Sequence, residues 1–488
     1  MTERPDETVQ DDAELGSGRT AGAGLRAWSE GVFVTLFFAG ILVAPIPLGA
    51  NRVWAWSPLA VLFGSLAVWH AFGLGTPRLA LRPAERLPLL VVVACFAAVV
   101  AMAVFQLSPL SPPSWHSGLY ARAATVLDRA LSGLITIDAE ASRAALMKIV
   151  ACGAVFVMAR ATLGDPRRAR QFLLLFVAMA VVVTAYGLLM HATNGSCYAF
   201  NYLKRQGETP EGRLYLCVFS GTFVSSNSYA AYVGMAIVTA LGLILRRGGD
   251  DAQQQSTMTG LPAAVWLTPT RLFCLVASFL FFGGLLLSNS RAGFAATVVG
   301  CIVVTLLLLR GRWASSPGIV WIIPAAIVVL ALLALLTGSA FFVKMGQLAD
   351  VDQLGRFRIW QTSLSALTQS PWLGWGLGTF AEVYTMMQSP DLLVPNDKAH
   401  STPLQWLVEF GVPAGLCAFG TILVPLLLCL RGAVRRRTDR HIPAVALAAS
   451  LVTILHSLVD FSLEMPAIGL SVSMLLGMGW AHAFRRNE

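Results

Sequence analysis

Apolar residues along this chain come in long unbroken blocks, where a soluble helix would show one apolar face and a half-buried strand would alternate. A helix needs roughly 20 such residues to cross a hydrocarbon core about 30 Å thick. Blocks approaching that length lie at 31–48, 54–72, 89–107, 144–162, 171–190 and 227–245, then at 272–287, 294–309, 319–337, 412–430, 442–459 and 466–484. The pattern therefore predicts an all-α polytopic membrane protein of about 12 transmembrane helices. Three polar gaps are longer than a simple turn: 108–143, 191–226 and 338–411. The last is a large loop between spans 9 and 10. Helical stretches are predicted inside it at 356–368 and 402–410, separated by Pro371, Gly374, Gly376 and Gly378.

Arginines are not spread evenly over the gaps. Arg78, Arg82 and Arg86, then Arg160, Arg167, Arg168 and Arg170, then Arg246, Arg247 and Arg271, then Arg310 and Arg312 fall in alternate gaps. Arg431, Arg435, Arg436, Arg437 and Arg440 continue the series, and Arg485 and Arg486 close it. Basic residues favour the cytoplasmic side, so both termini are expected to be cytoplasmic and the three long gaps, with 338–411 the largest, to face outward. The first 30 residues are polar, acidic and rich in Gly and Ala, the composition of a disordered cytoplasmic tail rather than a signal peptide. Residues 31–488 are then one transmembrane domain.

Composition agrees with this and removes other classes. Of the 488 residues, 56% are hydrophobic and 12% charged, against about 25% charged in soluble proteins. A formal charge of +9 would elsewhere point to an acidic partner. Here the arginines set topology, and no nucleic acid is expected to bind. The eight cysteines show no CxxC and no zinc-like spacing with His, so neither a metal nor another cofactor is expected. Cys197 and Cys217 share one outward gap, where a disulfide and two free thiols are both open readings.

Five segments carry candidate chemistry. In SNSRAG, 288–293, Arg291 sits between two apolar blocks at the membrane boundary, where a guanidinium either snorkels to headgroups or binds phosphate oxygens. In GRFRIWQTSLSALTQSPWLGWGLGTF, 355–380, Arg356 and Arg358 are two apart, so on a helix only one of them can face a site. GWGLG there either forms a plain re-entrant turn or gathers backbone N–H groups. In NDKAHSTPLQWLVEFGVPAG, 396–415, His400 precedes a helix start that disfavours its protonation, which suits a general base, and Glu409 follows nine residues later. In ILHSLVDFSLEMPAIGL, 454–470, Asp460 and Glu464 occupy a tight hairpin and could orient an arginine or bind a sugar hydroxyl. In GTFVSSNSYAAYVG, 221–234, Asn227 opens the sixth span, where capping the helix is its simplest task.

SNSRAG, GRFRIW through GWGLGTF, AHSTPLQWLVEFG and HSLVDF, in this order and on one face, resemble the O-antigen ligase family, which also holds repeat-unit polymerases and protein O-oligosaccharyltransferases. GTFVSSNSYAAYVG and QLSPLSPPSW are similar to exopolysaccharide members, and the ligase-like region spans about 221–484. The resemblance implies a metal-independent, GT-C-like glycosyltransferase in the bacterial inner membrane. It implies transfer or polymerisation of glycan from an undecaprenyl-diphosphate carrier at the periplasmic face. Carried over residue by residue, it implies Arg291 and Arg356 on the pyrophosphate and His400 on the acceptor hydroxyl, with Arg358, Glu409, Asp460 and Asn227 as supporting candidates. The expected partners are undecaprenyl-diphosphate-linked oligosaccharide, the lipid bilayer and other polysaccharide-assembly proteins. Ser401 stands where ligases often carry Asn, and no lipid A core surface is evident, so the acceptor stays open.

Two other classes compete. A transporter or flippase of lipid-linked glycan would need ionisable residues deep in several spans, whereas His70, His456, His482 and Lys148 all lie near span ends. A non-enzymatic scaffold would leave the outward arginines and histidine without a role.

Overall fold

The computed structural model describes residues 8–73, 81–193, 219–246, 268–310, 355–388 and 396–484. Among these residues the only regular secondary structure is helix. In chain order the helices are α1 (Thr8–Val43), α2 (Val53–Ala71), α3 (Arg86–Gln106), α4 (Gly118–Leu127), α5 (Ala139–Thr162), α6 (Pro166–Ala192) and α7 (Ser226–Leu245). They continue with α8 (Pro269–Leu287), α9 (Arg291–Leu309), α10 (355–369), α11 (Phe380–Met387), α12 (Thr402–Arg435), α13 (His441–His456) and α14 (Pro466–Ala483).

Eight helices are long and apolar enough to cross a membrane, and Ala27–Val43 and His441–His456 are shorter apolar helices. The chain is thus a multi-pass membrane protein. The expected count of about 12 spans is met only in part. The apolar part of α1 and the helix α13 fall short of a full span, and α14 is an 18-residue helix buried on nearly every side. The expected ninth span, 319–337, lies outside the described residues, as do Cys197 and Cys217 and parts of the 338–411 loop. The helix α1 starts at Thr8, inside the stretch whose composition suggests a tail.

Which helices are central follows from residue size. Helices α7, α9, α13 and α14 pack on one another and form the middle of the bundle. Small residues let their backbones approach: Gly234 and Gly300 both face Val452 of α13, and Gly242 faces Val445. Without a hydrophobic drive between helices in lipid, such close packing is a main source of association. Around this centre, α5 lies against α14 and α2, α3 lies against α12, and α6 lies against α7 and α8. Their outer faces expose Val61, Val68, Leu90, Val93, Leu175, Val182, Val276 and Phe279, the surface expected to meet acyl chains.

Basic side chains gather at one end of the bundle. Arg160 pairs with Glu85, Arg168 pairs with Glu30, Arg271 Nη2 donates to Arg246 O at 3.0 Å, and Arg436 Nη1 donates to His482 O at 2.9 Å. The sequence segregates its arginines accordingly.

The other end is shaped by a break in α12. Gly411 has φ 76° and ψ 169°, a backbone region that only glycine enters readily. It divides α12 into a short helix before the break and a long one after it, and leaves the carbonyls before it without their helical partners. The glycine-rich turn satisfies them: Trp375 N donates to Val408 O at 3.0 Å and Gly376 N to Glu409 O at 3.1 Å. Val412 N donates in return to Pro371 O at 2.7 Å. The fully buried Gln106, at the end of α3, donates to Leu373 O and Glu409 O at 2.6 and 2.8 Å and accepts from Leu377 N at 3.1 Å.

A Cβ at position 411 would sit 2.5 Å from Trp372 O. Gly411→Ala should therefore lower stability by about 1–3 kcal/mol, seen as a lower thermal midpoint of the protein in detergent.

Candidate functional site

The polar segments singled out in the sequence converge where α7, α9, α12 and α13 end together. His400 lies in the turn before α12 with φ 49°, a left-handed conformation that a non-glycine residue holds only when its surroundings enforce it. They do so on both sides. Trp360 Nε1 of α10 donates to Ala399 O at 3.0 Å, and Ala399 N donates to Gln405 Oε1 at 3.1 Å. Thr402 N donates to Ser457 O at 2.9 Å. The His400 ring rests edge-on against Phe461, with centroids 5.3 Å apart.

His400 Nδ1 lies 3.3 Å from Asp460 Oδ1, and the two side chains are 26% and 1% exposed. A buried carboxylate is costly unless its lone pairs are used. Asp460 meets this need from three segments: His400 Nδ1 and Asn227 Nδ2 on Oδ1, the latter at 3.4 Å, and Ser462 Oγ on Oδ2 at 3.0 Å. Burial alone would push the Asp460 carboxyl up. The hydrogen bond from His400, the charges of His456 and His400 and the Ser462 hydrogen bond outweigh it and hold the group below the usual Asp range. Its Oδ1 orients His400 through Nδ1, so Nε2 is the nitrogen left to face a substrate.

The two arginines stand at helix starts. Arg291 opens α9 directly after Ser290, whose hydroxyl caps the helix by accepting from Gly293 N at 3.3 Å; the Arg291 side chain is exposed. Arg356 is half-buried near the start of α10 and its charge reaches His456, while Arg358 is exposed. Of the two arginines in GRFR, Arg356 is the more buried.

A second polar cluster lies beside the first. Lys398 Nζ is 3.0 Å from Glu464 Oε2, and Gln405 Nε2 donates to Glu464 Oε2 at 2.8 Å and to Glu409 Oε1 at 2.9 Å. Gly378 N donates to Glu409 Oε2 at 2.9 Å. Glu464 Oε1 is buried without a hydrogen-bond partner. Burial raises the Glu464 carboxyl above the usual Glu range, and the neighbouring Lys398 only partly offsets it. Burial would lower Lys398, but the charges of Glu464 and Glu409 raise it above the ordinary lysine value.

The geometry corrects several expectations. The N–H groups of the GWGLG turn are bonded to Val408 O, Glu409 O, Glu409 Oε2 and Gln106 Oε1, so they fasten the broken helix and are not turned to a ligand. Asn227 does not cap α7; Ser225 does, and the Asn227 side chain donates to Asp460. Asp460 holds His400, not an arginine. Glu409, a supporting candidate by sequence, fastens the turn through Gly378 N and Gln405 Nε2. The sequence reading also passed over Gln405, Lys398, Ser462 and the inward role of His456; the i, i+4 pair of Gln405 and Glu409 was the available signal. Among the described residues, no three His, Cys, Asp or Glu side chains converge as metal ligands.

A multi-pass membrane protein whose described residues are helical, with a histidine held by a buried carboxylate, is the class that fold and site define. Within it, residues 276–419 match the family model described as O-antigen ligase. The matched stretch contains Arg291, Arg356, His400 and Glu409. No curated protein matches the chain.

Because the folded protein holds the Glu464 proton more tightly than the unfolded chain, Glu464 contributes stability below the usual Glu range of about 4.3 and loses it as pH rises through its raised value. Glu464→Gln should match wild type in thermal midpoint at acid pH and gain on it progressively toward neutral. A wild-type advantage that grows with pH would contradict this.

Proposed function

We propose that this protein transfers or polymerises glycan from an undecaprenyl-diphosphate-linked donor at the periplasmic face of the bacterial inner membrane. The carrying observation is the His400–Asp460 pair, 3.3 Å apart with the carboxylate buried. Its supporting context is the O-antigen ligase match over 276–419. The donor needs little from the protein beyond its own good leaving group. What the site must supply is a base for the acceptor hydroxyl and positive charge where the diphosphate departs.

In this reading His400 Nε2 takes the proton of an acceptor sugar hydroxyl while Asp460 stabilises the imidazolium that forms. The hydroxyl oxygen forms a bond to the anomeric carbon of the donor glycan as the bond from that carbon to the diphosphate oxygen breaks. Electrons of the broken bond remain on undecaprenyl diphosphate, whose growing negative charge Arg291 and Arg356 stabilise. The proton on His400 then passes to solvent. A base opposite the leaving group gives inversion at the anomeric carbon. Both arginines act without a metal in this scheme. The arginine segregation along the sequence supports cytoplasmic termini, with the His400 end then periplasmic.

The test is the fate of lipid-linked glycan in cells lacking the protein. Accumulated single repeats mark a polymerase, accumulated lipid-linked long chains mark a ligase, and unchanged pools overturn the proposal, as does a block that leaves donor on the cytoplasmic side. In cells making the variants, His400→Ala should cut product formation by about 10²–10⁴, and Arg291→Ala and Arg356→Ala by about 10²–10³ each, at wild-type protein levels in the membrane. Asp460→Asn should fall with His400→Ala, because an amide cannot stabilise the imidazolium. Variants at wild-type activity would remove those residues from the mechanism.

A further inference from the structure

The proposed chemistry does not use His456, which is 1% exposed at the end of α13. Both of its nitrogens nevertheless have partners. Nδ1 lies 3.1 Å from Ser462 Oγ, and Nε2 lies 3.4 Å from Ser290 Oγ. Ser462 has one hydroxyl hydrogen, and it goes to Asp460 Oδ2 at 3.0 Å. The Ser462 oxygen can therefore only accept from His456, so Nδ1 carries a hydrogen whatever the charge of the ring.

The bonds then run in order. His456 Nδ1–H donates to Ser462, Ser462 donates to one oxygen of Asp460, and the other oxygen of Asp460 receives His400 Nδ1–H. On its far side His456 meets Ser290, the hydroxyl that caps α9 immediately before Arg291. One imidazole thus touches two structures that the reaction needs in register: the carboxylate behind the base and the helix start that carries an arginine.

We propose that His456 is a positioning residue with two separable tasks, Nδ1 fixing the Asp460–His400 pair and Nε2 fixing the start of α9 that bears Arg291. The inference rests on the glycosyl-transfer reading given above. It differs from a packing role in a way that substitution can separate. The amide of asparagine reaches about as far as Nδ1 of the histidine it replaces, and that of glutamine about as far as Nε2. His456→Asn keeps a donor for Ser462 and loses Ser290. His456→Gln keeps a group for Ser290 and loses Ser462.

The experiment uses the full chain in lipid nanodiscs, supplied with the lipid-linked glycan extracted from cells that lack the gene. Initial rates are measured against donor concentration for wild type, His456→Asn, His456→Gln, Ser462→Ala and His400→Ala. We expect His456→Asn to raise the donor KM about 3–10-fold and to lower kcat by about the same factor, because Arg291 both binds the diphosphate and meets its growing charge. His456→Gln and Ser462→Ala should keep KM within about twofold and lower kcat about tenfold. A packing role would move the two His456 variants alike. The proposal is overturned if they share one kcat and KM change, if all His456 and Ser462 variants match wild type while His400→Ala is inactive, or if the Asn and Gln effects are reversed. An active His400→Ala overturns the underlying mechanism instead, and is told apart by that variant alone.

Discussion

A carboxylate shut away from water governs this end of the molecule. Asp460 is 1% exposed, and an ionised group so placed destabilises the fold unless hydrogen bonds replace its hydration. Its own hairpin supplies only Ser462. Asn227 has to come from the start of α7 and His400 from the turn before α12, so three segments far apart in the chain are drawn to one point. The left-handed backbone of His400 is a result of that requirement. The turn is pulled toward Asp460 from one side and held by Trp360 and Gln405 from the other.

The glycine-rich turn and Gly411 perform a comparable task for the backbone. A helix that must stop at the membrane boundary and restart in a new direction exposes carbonyls, and in a low-dielectric setting each needs a donor. The turn at 374–378 and the Gln106 side chain provide those donors. The helix before the break, which follows His400, is thereby locked to α3 and to the glycine-rich turn rather than carried passively on the long helix beneath it. A histidine at a mobile loop tip could not keep its ring within reach of a fixed carboxylate. This one stands in a turn that leads directly into the fastened short helix.

Much of this was legible from residue order, and the part that was not has a physical cause. Apolar block length locates most helices, because lipid imposes that length directly. The blocks at α13 and α14 give shorter, central helices whose neighbours are other helices, so that neither their length nor their hydropathy needs to match a bilayer. Arg291, Arg356 and His400 stood out because each is costly where it lies. Their partners did not: Asn227 looked like a cap, Gln405 like an ordinary helix residue, and His456 like a titratable group near a span end. Hydrogen bonds between side chains 60 or 233 positions apart, as His400 and Asn227 make with Asp460, leave no periodic trace in a single sequence. The GWGLG segment left two readings open, and both describe part of what it does. Its glycines do gather N–H groups, but the recipient is the protein's own broken helix.

The limits of the ligase match, 276 and 419, fall well inside the span over which the site is assembled. A fragment cut at those limits would hold both arginines and the histidine, yet would lack the carboxylate, the second histidine and the asparagine. A piece of this chain that keeps the whole candidate site must reach at least from before Asn227 to beyond Glu464. Chimeras between relatives would therefore be joined best outside that interval. An exchange confined to the matched stretch would ask a foreign histidine to fit a carboxylate, an asparagine and a serine that were never selected alongside it.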